Sequence, residues 1–531
     1  MLKNKIITIV FVGLVLLTAS GCRDWLDVRP ESETILEEYW KTESQAQAVM
    51  MSCYRYFTEQ PNFERIITWG ELRSDNLTKG IGINEPASKI IDVDITSANP
   101  FCSWGSMYTI INYCNTFMHF APQVLDNDQN FTEEKLKTME AEVLTLRSLA
   151  YFYLVRAFRD IPWISQPSID DTQNYDVYQT TERAVLDSII SDLLYAERYA
   201  PVSFDTEEMT KVRITRNAVK ALLADVYLWD EQYELAVQKC DEILRDPTLE
   251  FVDAEDFLYD VFYVGTSTES IFEFSFDEDE IPNNGVKYAY GFLGNGGEGQ
   301  LSMPLFLTDV NGEHNIFHYK VSSSLIESDE DEDIRYKDFI NQTMAANAGY
   351  NFIFKYAGLQ RTENEDGTST YIYSSKSPNW IVYRLADITL MKAEALVQLN
   401  RGKADLQGAM DMVNRTYLRA NPELSGDSLQ LADYNSQDEM EKLVLRERQR
   451  ELMFEGKRWY DLMRLARRDG NPVRLLNYVV YKFTGDQALQ YSKMSVMDAL
   501  YFPISQSEIN ANPNLKQNPF YELTGSSSTT E

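Results

Sequence analysis

Histidine is nearly missing from this chain of 531 residues: His119, His314 and His318 are the only three. Cysteine is little commoner, with Cys22, Cys53, Cys102, Cys114 and Cys240 and no CxxC spacing among them. Neither a zinc site nor a thiol redox motif can be read from so sparse a set. The last four are expected as inert buried thiols, with one disulfide in an oxidising compartment left open. His314 and His318 would share a face if helical, but their stretch is rich in Gly and Asn, and they are read as a surface pair rather than metal ligands. There is no GxSxG, no Cys–His setting, no GxxxxGK[ST] and no convincing GxGxxG, which leaves acyl transfer and phosphate-loop chemistry without a foothold. Basic charge is scarce as well: 49 Lys and Arg face 82 Asp and Glu, for a net charge of −33. Nucleic acid is thereby excluded as a partner, because its phosphates require clustered cations. So is lying flat on an anionic lipid surface. Long apolar runs are confined to Ile6–Leu17, too short to span a bilayer.

That run follows Lys3 and Lys5 and ends in Thr18, Ala19, Ser20 and Gly21, directly before Cys22. A basic start, a short apolar stretch and a small-residue exit describe a secretory signal. The small-small-Cys ending resembles the lipobox of bacterial lipoproteins, although Ala19 stands where Leu is commonest. Residues 1–21 are therefore expected to be a signal peptide, and Cys22 a lipidated residue that tethers the mature chain to a membrane.

What the chain has in plenty is helical periodicity and aromatic residues, 32 Tyr, 26 Phe and 8 Trp. Leu136, Met139, Val143, Leu146, Ala150, Tyr153 and Ala157 recur at spacings of three and four, predicting a helix over Thr132–Phe158 with one apolar stripe. Val185, Ile189, Leu193, Ala196 and Ala200 predict a second over Thr181–Ala200, stopped by Pro201. "RNAVKALLADVYLWDEQYELAVQKCDEILRDP" reads as two helices around a tight turn at Asp230–Gln232. Its Leu223, Ala224, Tyr227 and Ala236 fall at the large, small, aromatic and small positions of a tetratricopeptide repeat, where small residues let paired helices approach. "WIVYRLADITLMKAEALVQLNRGKADLQGAMDMVNRTY" is a looser copy, and Trp104–Phe120 with Thr132–Phe158 is a candidate third. Stacked pairs of this kind make a right-handed solenoid.

Two zones interrupt the helices. Trp69–Phe101 is rich in Gly, Pro, Asn and Ser, and Phe251–Ser377 holds β-like runs such as "SIFEFSF", "YNFIFKYAG" and "TYIYSS". Such loops over a helical frame are the usual home of binding residues. The acidic run "ESDEDED" lacks the spacing of a calcium loop and is read as solvated surface, with any calcium unassigned. "EMEKLVLRERQRELMFEGKRWYDLMRLAR" reads as one helix in which Glu447, Glu451 and Glu455 stack at i, i+4 and i+8. Two such carboxylates suggest glycoside hydrolysis, which needs one protonated acid. The interleaved Arg446, Arg448, Arg450, Lys457 and Arg458 would instead keep them ionised, and an ion-pair network is the expectation. No catalytic residue is assigned.

The lipobox, "WLDVRPES", "LRSLAYFYLVRAFRDIPWI", "YRLADITLMKAEAL", "RERQRELMFEGKRWYDLMRLAR" and "LYFPISQSEINANPNLKQNPFY", in that order, resemble the SusD/RagB family of outer-membrane nutrient-binding lipoproteins of Bacteroidetes. The likeness runs from Cys22 to Tyr521. Arg159 departs from the family's usual Gly, and so does Phe520; both are turn positions. The resemblance implies a mainly α fold: a tetratricopeptide-like helical-pair scaffold, about 22–68, 102–250 and 378–531, with a loop-rich, minor-β ligand region, about 69–101 and 251–377, in one domain from residue 22. It implies capture of oligosaccharides at the cell surface and delivery to a SusC-like TonB-dependent transporter, without catalysis or cofactor. Peptide binding, as in RagB-like members, and a surface glycosidase are the alternatives. Sugars offer apolar C–H faces to aromatic rings and hydroxyls to polar side chains. The loop-zone candidates are accordingly Arg73, Asp75 and Asn76 of "ELRSDN", Tyr288, Tyr290 and Phe292 of "YAYGF", and Trp380. As a strand, the three alternating aromatics would share one face, either a platform or part of the core.

Overall fold

The computed structural model describes residues 39–525 except 81, 170–172, 277–284, 291–299, 310–311, 318, 322–323, 327–332, 342–349, 357–358, 364–368, 374–377, 425–427 and 484. Cys22, Phe292, His318 and all but Asp333 of the acidic run lie outside them. The signal-peptide reading does too.

Helix α1, Glu43–Thr58, starts at a capping box, in which the Thr42 hydroxyl accepts from the Gln45 N–H and the Gln45 side chain accepts from the Thr42 N–H. α2, Gln60–Ile67, runs into a π-helical turn at Thr68–Leu72. Its Gly70 lies against the loop that carries Gly456, and a Cβ built there would stand 2.0 Å from the Gly456 carbonyl oxygen. The Gly456 carbonyl can approach the backbone there because Gly70 has no side chain.

The scaffold follows as α3, Gly105–Phe120; α4, Glu133–Phe158; α5, Glu182–Tyr199; α6, Arg216–Trp229; and α7, Tyr233–Ile243. After the loop region come α8, Leu385–Leu399; α9, Lys403–Ala420; α10, Gln437–Leu452; α11, Arg458–Asp469; and α12, Val473–Val479. α3 packs on α4, α4 on α5, α5 on α6, α6 on α7, α7 on α8, and α8 on both α9 and α10. This is the expected mainly α array of stacked helix pairs. The turn at Asp230–Gln232 joins α6 to α7, and Leu223, Ala224, Tyr227 and Ala236 are all buried.

α4 is more central than its apolar stripe implied. Every residue from Ala141 to Phe158 is buried, so charge had to go inside and be matched there. Glu142 pairs with Arg213 at 2.5 Å, Arg147 with Asp192 at 2.7 Å and Arg156 with Asp225 at 3.3 Å. The helix stops on Arg159, whose φ is +69°, a left-handed-side conformation that suits glycine. The Arg159 side chain reaches Asp498 at 2.6 Å.

Three expectations need correction. The helix predicted across "RERQRELMFEGKRWYDLM" breaks: α10 ends at Leu452, Phe454 and Gly456 take positive φ, and α11 begins at Arg458. Glu455 therefore stands off the helix rather than stacking at i+8. "GVKYAY" forms a short helix, Gly285–Tyr290, so Tyr288 and Tyr290 do not alternate along a strand. Trp69–Phe101 is not all loop, since it includes the π-helical turn and a helix at Glu85–Ile91 capped by the Asn84 side chain.

The β runs form as expected. Ser270–Phe274 pairs antiparallel with Trp380–Arg384, with Trp380 opposite Phe274. Leu301–Pro304 lies between Thr78–Lys79 and Tyr350–Ile353, and Ile340–Asn341 adds to the far edge. Two small hairpins, Tyr319–Val321 with Ser324–Ile326 and Leu359–Glu363 with Ser369–Tyr373, complete the loop-rich half. Cys53, Cys102, Cys114 and Cys240 are buried free thiols. Among the described residues no helix is long and apolar enough to cross a membrane.

Candidate ligand cleft

Five of the residues singled out for ligand contact lie inside the protein. The Arg73 guanidinium donates to the Leu500 carbonyl at 2.7 Å and the Ala499 carbonyl at 2.5 Å, and lies 4.5 Å above the Trp459 ring. Asp75 is gripped by two nitrogens of Arg458, at 2.8 and 2.9 Å, and accepts from Gln449 at 2.9 Å. Asn76 accepts from the same Gln449 amide. Tyr290 stacks on Tyr356 with centroids 5.6 Å apart, and Tyr356 on Trp380 at 5.9 Å. These five are buried and turn no open face to a ligand. The polar "ELRSDN" looks like a surface loop in sequence, but Arg458 pairs with Asp75, Gln449 donates to Asp75 and Asn76, and the Leu500 and Ala499 carbonyls take the Arg73 guanidinium, so distant segments partner these groups inside. Only Asp75 approaches an opening, at the floor of a cleft.

The carboxylate ladder is a buried network. Arg335 bonds Glu447 at 2.8 Å, Glu451 at 3.1 Å and Asp333 at 2.8 Å. Arg384 bonds Glu451 and Glu455, each at 2.7 Å, and Glu269 at 3.3 Å. Lys355 meets Glu455 at 2.7 Å, while Arg419 bridges Glu269 and Glu451. Burial alone would raise the Glu451 carboxyl; Arg419, Arg384 and Arg335 outweigh it and hold the group well below the usual carboxylate range. Glu455 is lowered in the same way, burial being overcome by Arg384 and Lys355. A group held ionised cannot be the proton donor that glycoside cleavage needs. Asp333 corrects its own forecast: this end of the acidic run is buried beside Arg335, not solvated.

An open site forms elsewhere, at the seam between the loop-rich half and the C-terminal helices. A cleft of about 260 Å³ is bounded on one side by Phe306 and His314 and on the others by α10 and α12. From α10 come Asp438, Glu441, Lys442, Leu445 and Arg446, spaced i, i+3, i+4, i+7 and i+8, which is one helical face. From α12 come Arg474, Asn477 and Tyr478, again three and four apart, and Tyr481 continues the row one turn further. The His314 ring lies 3.8 Å from the Tyr481 ring, with Phe306 6.1 and 6.3 Å from the two. Tyr481 is 40% exposed and forms the outer edge of this aromatic cluster. Sequence reasoning passed over these residues. His314 was read as surface, and the face of α10 opposite the ladder was overshadowed by it; the i, i+3, i+4 recurrence of polar residues was the available signal.

Stacked helix pairs with an aromatic-edged, polar cleft at the margin of a loop-rich half define a helical-repeat frame that carries a candidate binding cleft. Residues 306–521 match the model of the SusD family, and residues 24–228 match a second described as "Starch-binding associating with outer membrane". The chain belongs to the SusD family. It is 27% identical over 491 residues to SusD-like protein P2 of Formosa agariphila, spanning 88% of this chain and 91% of that one. SusD-like protein P38 of the same organism is 25% identical, over 87% and 92% of the two chains. A SusD superfamily protein from Bacteroides vulgatus superposes with a TM-score of 0.71 at 19% identity, covering 91% of this chain and all of that one, which is a likeness of fold.

Proposed function

We propose that the protein captures oligosaccharides at the bacterial surface and passes them unchanged to a SusC-like TonB-dependent transporter. The observation that carries this reading is the Phe306–His314–Tyr481 cluster at the lip of a cleft lined with hydrogen-bonding side chains. Aromatic faces take the C–H side of a sugar ring, while Asn477, Asp438, Lys442 and Arg474 are within the same opening to meet hydroxyls. Cys22 is the lipidated residue that keeps the mature chain, one domain from residue 22 onward, on the outer face of the outer membrane. The acidic body stands off the lipid, and the ionised ladder supports a holder rather than a hydrolase. No metal or cofactor is invoked.

Calorimetry against a panel of oligosaccharides, with the lipoprotein in detergent, tests the reading. Tyr481→Ala is expected to weaken the best ligand by about tenfold, roughly the 1.4 kcal/mol of one aromatic contact, with an unchanged melting temperature. A protein that ignores every glycan but retains peptides would move the assignment to peptide capture. Release of reducing sugar would replace it with hydrolysis. Incorporation of labelled palmitate that Cys22→Ser abolishes checks the anchor, and copurification of a large β-barrel checks the partner.

A further inference from the structure

Among the described residues, one charge in the cleft has no counterion. Asp75 on its floor is held by Arg458, Asp438 pairs with Lys442 at 2.7 Å, and Glu441 pairs with Arg468 at 3.0 Å and Arg474 at 2.5 Å. Arg474 also meets Asp469 at 2.5 Å. Arg446, on the same face of α10, forms no ion pair with any described residue. Its guanidinium donates only to the His314 carbonyl and the Gln449 side-chain oxygen, both at 3.4 Å, the outer limit of a hydrogen bond. Burial, together with the charges of Arg450 and Arg458, pulls Arg446 down to about 10; Asp75, which acts in the other direction, is already engaged by Arg458. A partly buried cation beside like charges is a standing cost to the fold. A planar fork of donors left uncommitted in a cleft is also the group best shaped to grip a carboxylate or sulfate with two hydrogen bonds.

We propose that Arg446 is the recognition point for an oxyanion on the sugar, so that the cleft selects acidic oligosaccharides over neutral ones. The inference rests on the glycan-capture reading and deepens it by naming the ligand's chemistry. The oxyanion is a uronosyl carboxylate or a sulfate ester, which present the same pair of acceptor oxygens. The ring that bears it packs on His314 and Phe306, which line the same cleft as Arg446. Because the whole protein carries a net charge of −33, selection must come from this contact and not from long-range attraction.

The test is calorimetry on the lipoprotein in detergent with matched pairs: uronate oligosaccharides and their carboxyl-reduced forms, and sulfated oligosaccharides and their desulfated forms. One acidic series is expected to bind at least tenfold tighter than its neutral partner, and which series does so distinguishes carboxylate from sulfate. Arg446→Gln should bring the acidic series down towards its neutral partner and not lower the melting temperature, since it removes an uncompensated charge. Arg446→Lys, which keeps a charge without the fork, should retain only part of the preference and serves if the first variant fails to fold. Equal binding of acidic and neutral partners, or a preference that survives Arg446→Gln, overturns the inference while leaving glycan capture intact. Binding of no oligosaccharide, acidic or neutral, overturns both.

Discussion

Arg159 holds a backbone conformation that costs a non-glycine residue about 1–3 kcal/mol. Its return is a half-exposed bond to Asp498 and a position 5.4 Å from the Tyr501 ring. Exposed pairs of that sort contribute under about 1 kcal/mol. The strain should win. Arg159→Gly is therefore expected to match or exceed the parent in urea denaturation, and Arg159→Ala, which keeps the strain and loses the pair, to fall about 1 kcal/mol below it. An Ala variant as stable as the Gly variant would contradict this. At this scale the sequence was informative about turns and poor about ligand contacts. The departure from Gly at Arg159 marked a real turn. Arg73, Asp75 and Asn76 had the composition of a surface loop, and nothing local disclosed that Ala499, Leu500, Gln449 and Arg458 would enclose them. Whether a polar residue lies inside is decided by partners hundreds of positions away.

Elements were read best where they are long. The spacing of three and four located α4 to within a residue at its start, because twenty-six residues of consistent period leave little ambiguity. Short runs failed. "GVKYAY" is too brief to separate a helical turn from a strand, and the break between α10 and α11 is hidden because its charged residues suit a helix. That break places the Gly456 carbonyl against Gly70. Gly70→Ala would drive a Cβ into a backbone oxygen that has no rotamer to retreat into, and the expected loss exceeds about 4 kcal/mol or prevents soluble expression. Gly456→Ala, whose Cβ would meet the Trp380 ring at 3.0 Å from a strained φ of +72°, is expected to be damaging but milder. Chemical denaturation of the pair checks the order, and Gly70→Ala folding as well as Gly456→Ala would refute the crossing as described.

For the molecule as a whole, the buried ladder ties the loop-rich half to the helices. Glu269, Asp333, Arg335, Lys355 and Arg384 come from or border the loops; Arg419, Glu447 and Glu451 come from α9 and α10. Glu451→Gln would leave Arg335, Arg384 and Arg419 short of a counterion at once, and such losses cost about 3–5 kcal/mol. The pH dependence has a definite sign. Glu451 and Glu455 are lowered in the folded state, so their contribution is present above about pH 4.5, the unfolded range, and is lost as pH falls below it. The parent's melting temperature should therefore drop more steeply below pH 4.5 than that of Glu451→Gln, and parallel curves would refute the assignment. Since these rivets are driven from within, the turns on the outer skin carry none of the strain of holding the halves together. A new menu can be written on that skin, one side chain at a time, over an undisturbed chassis.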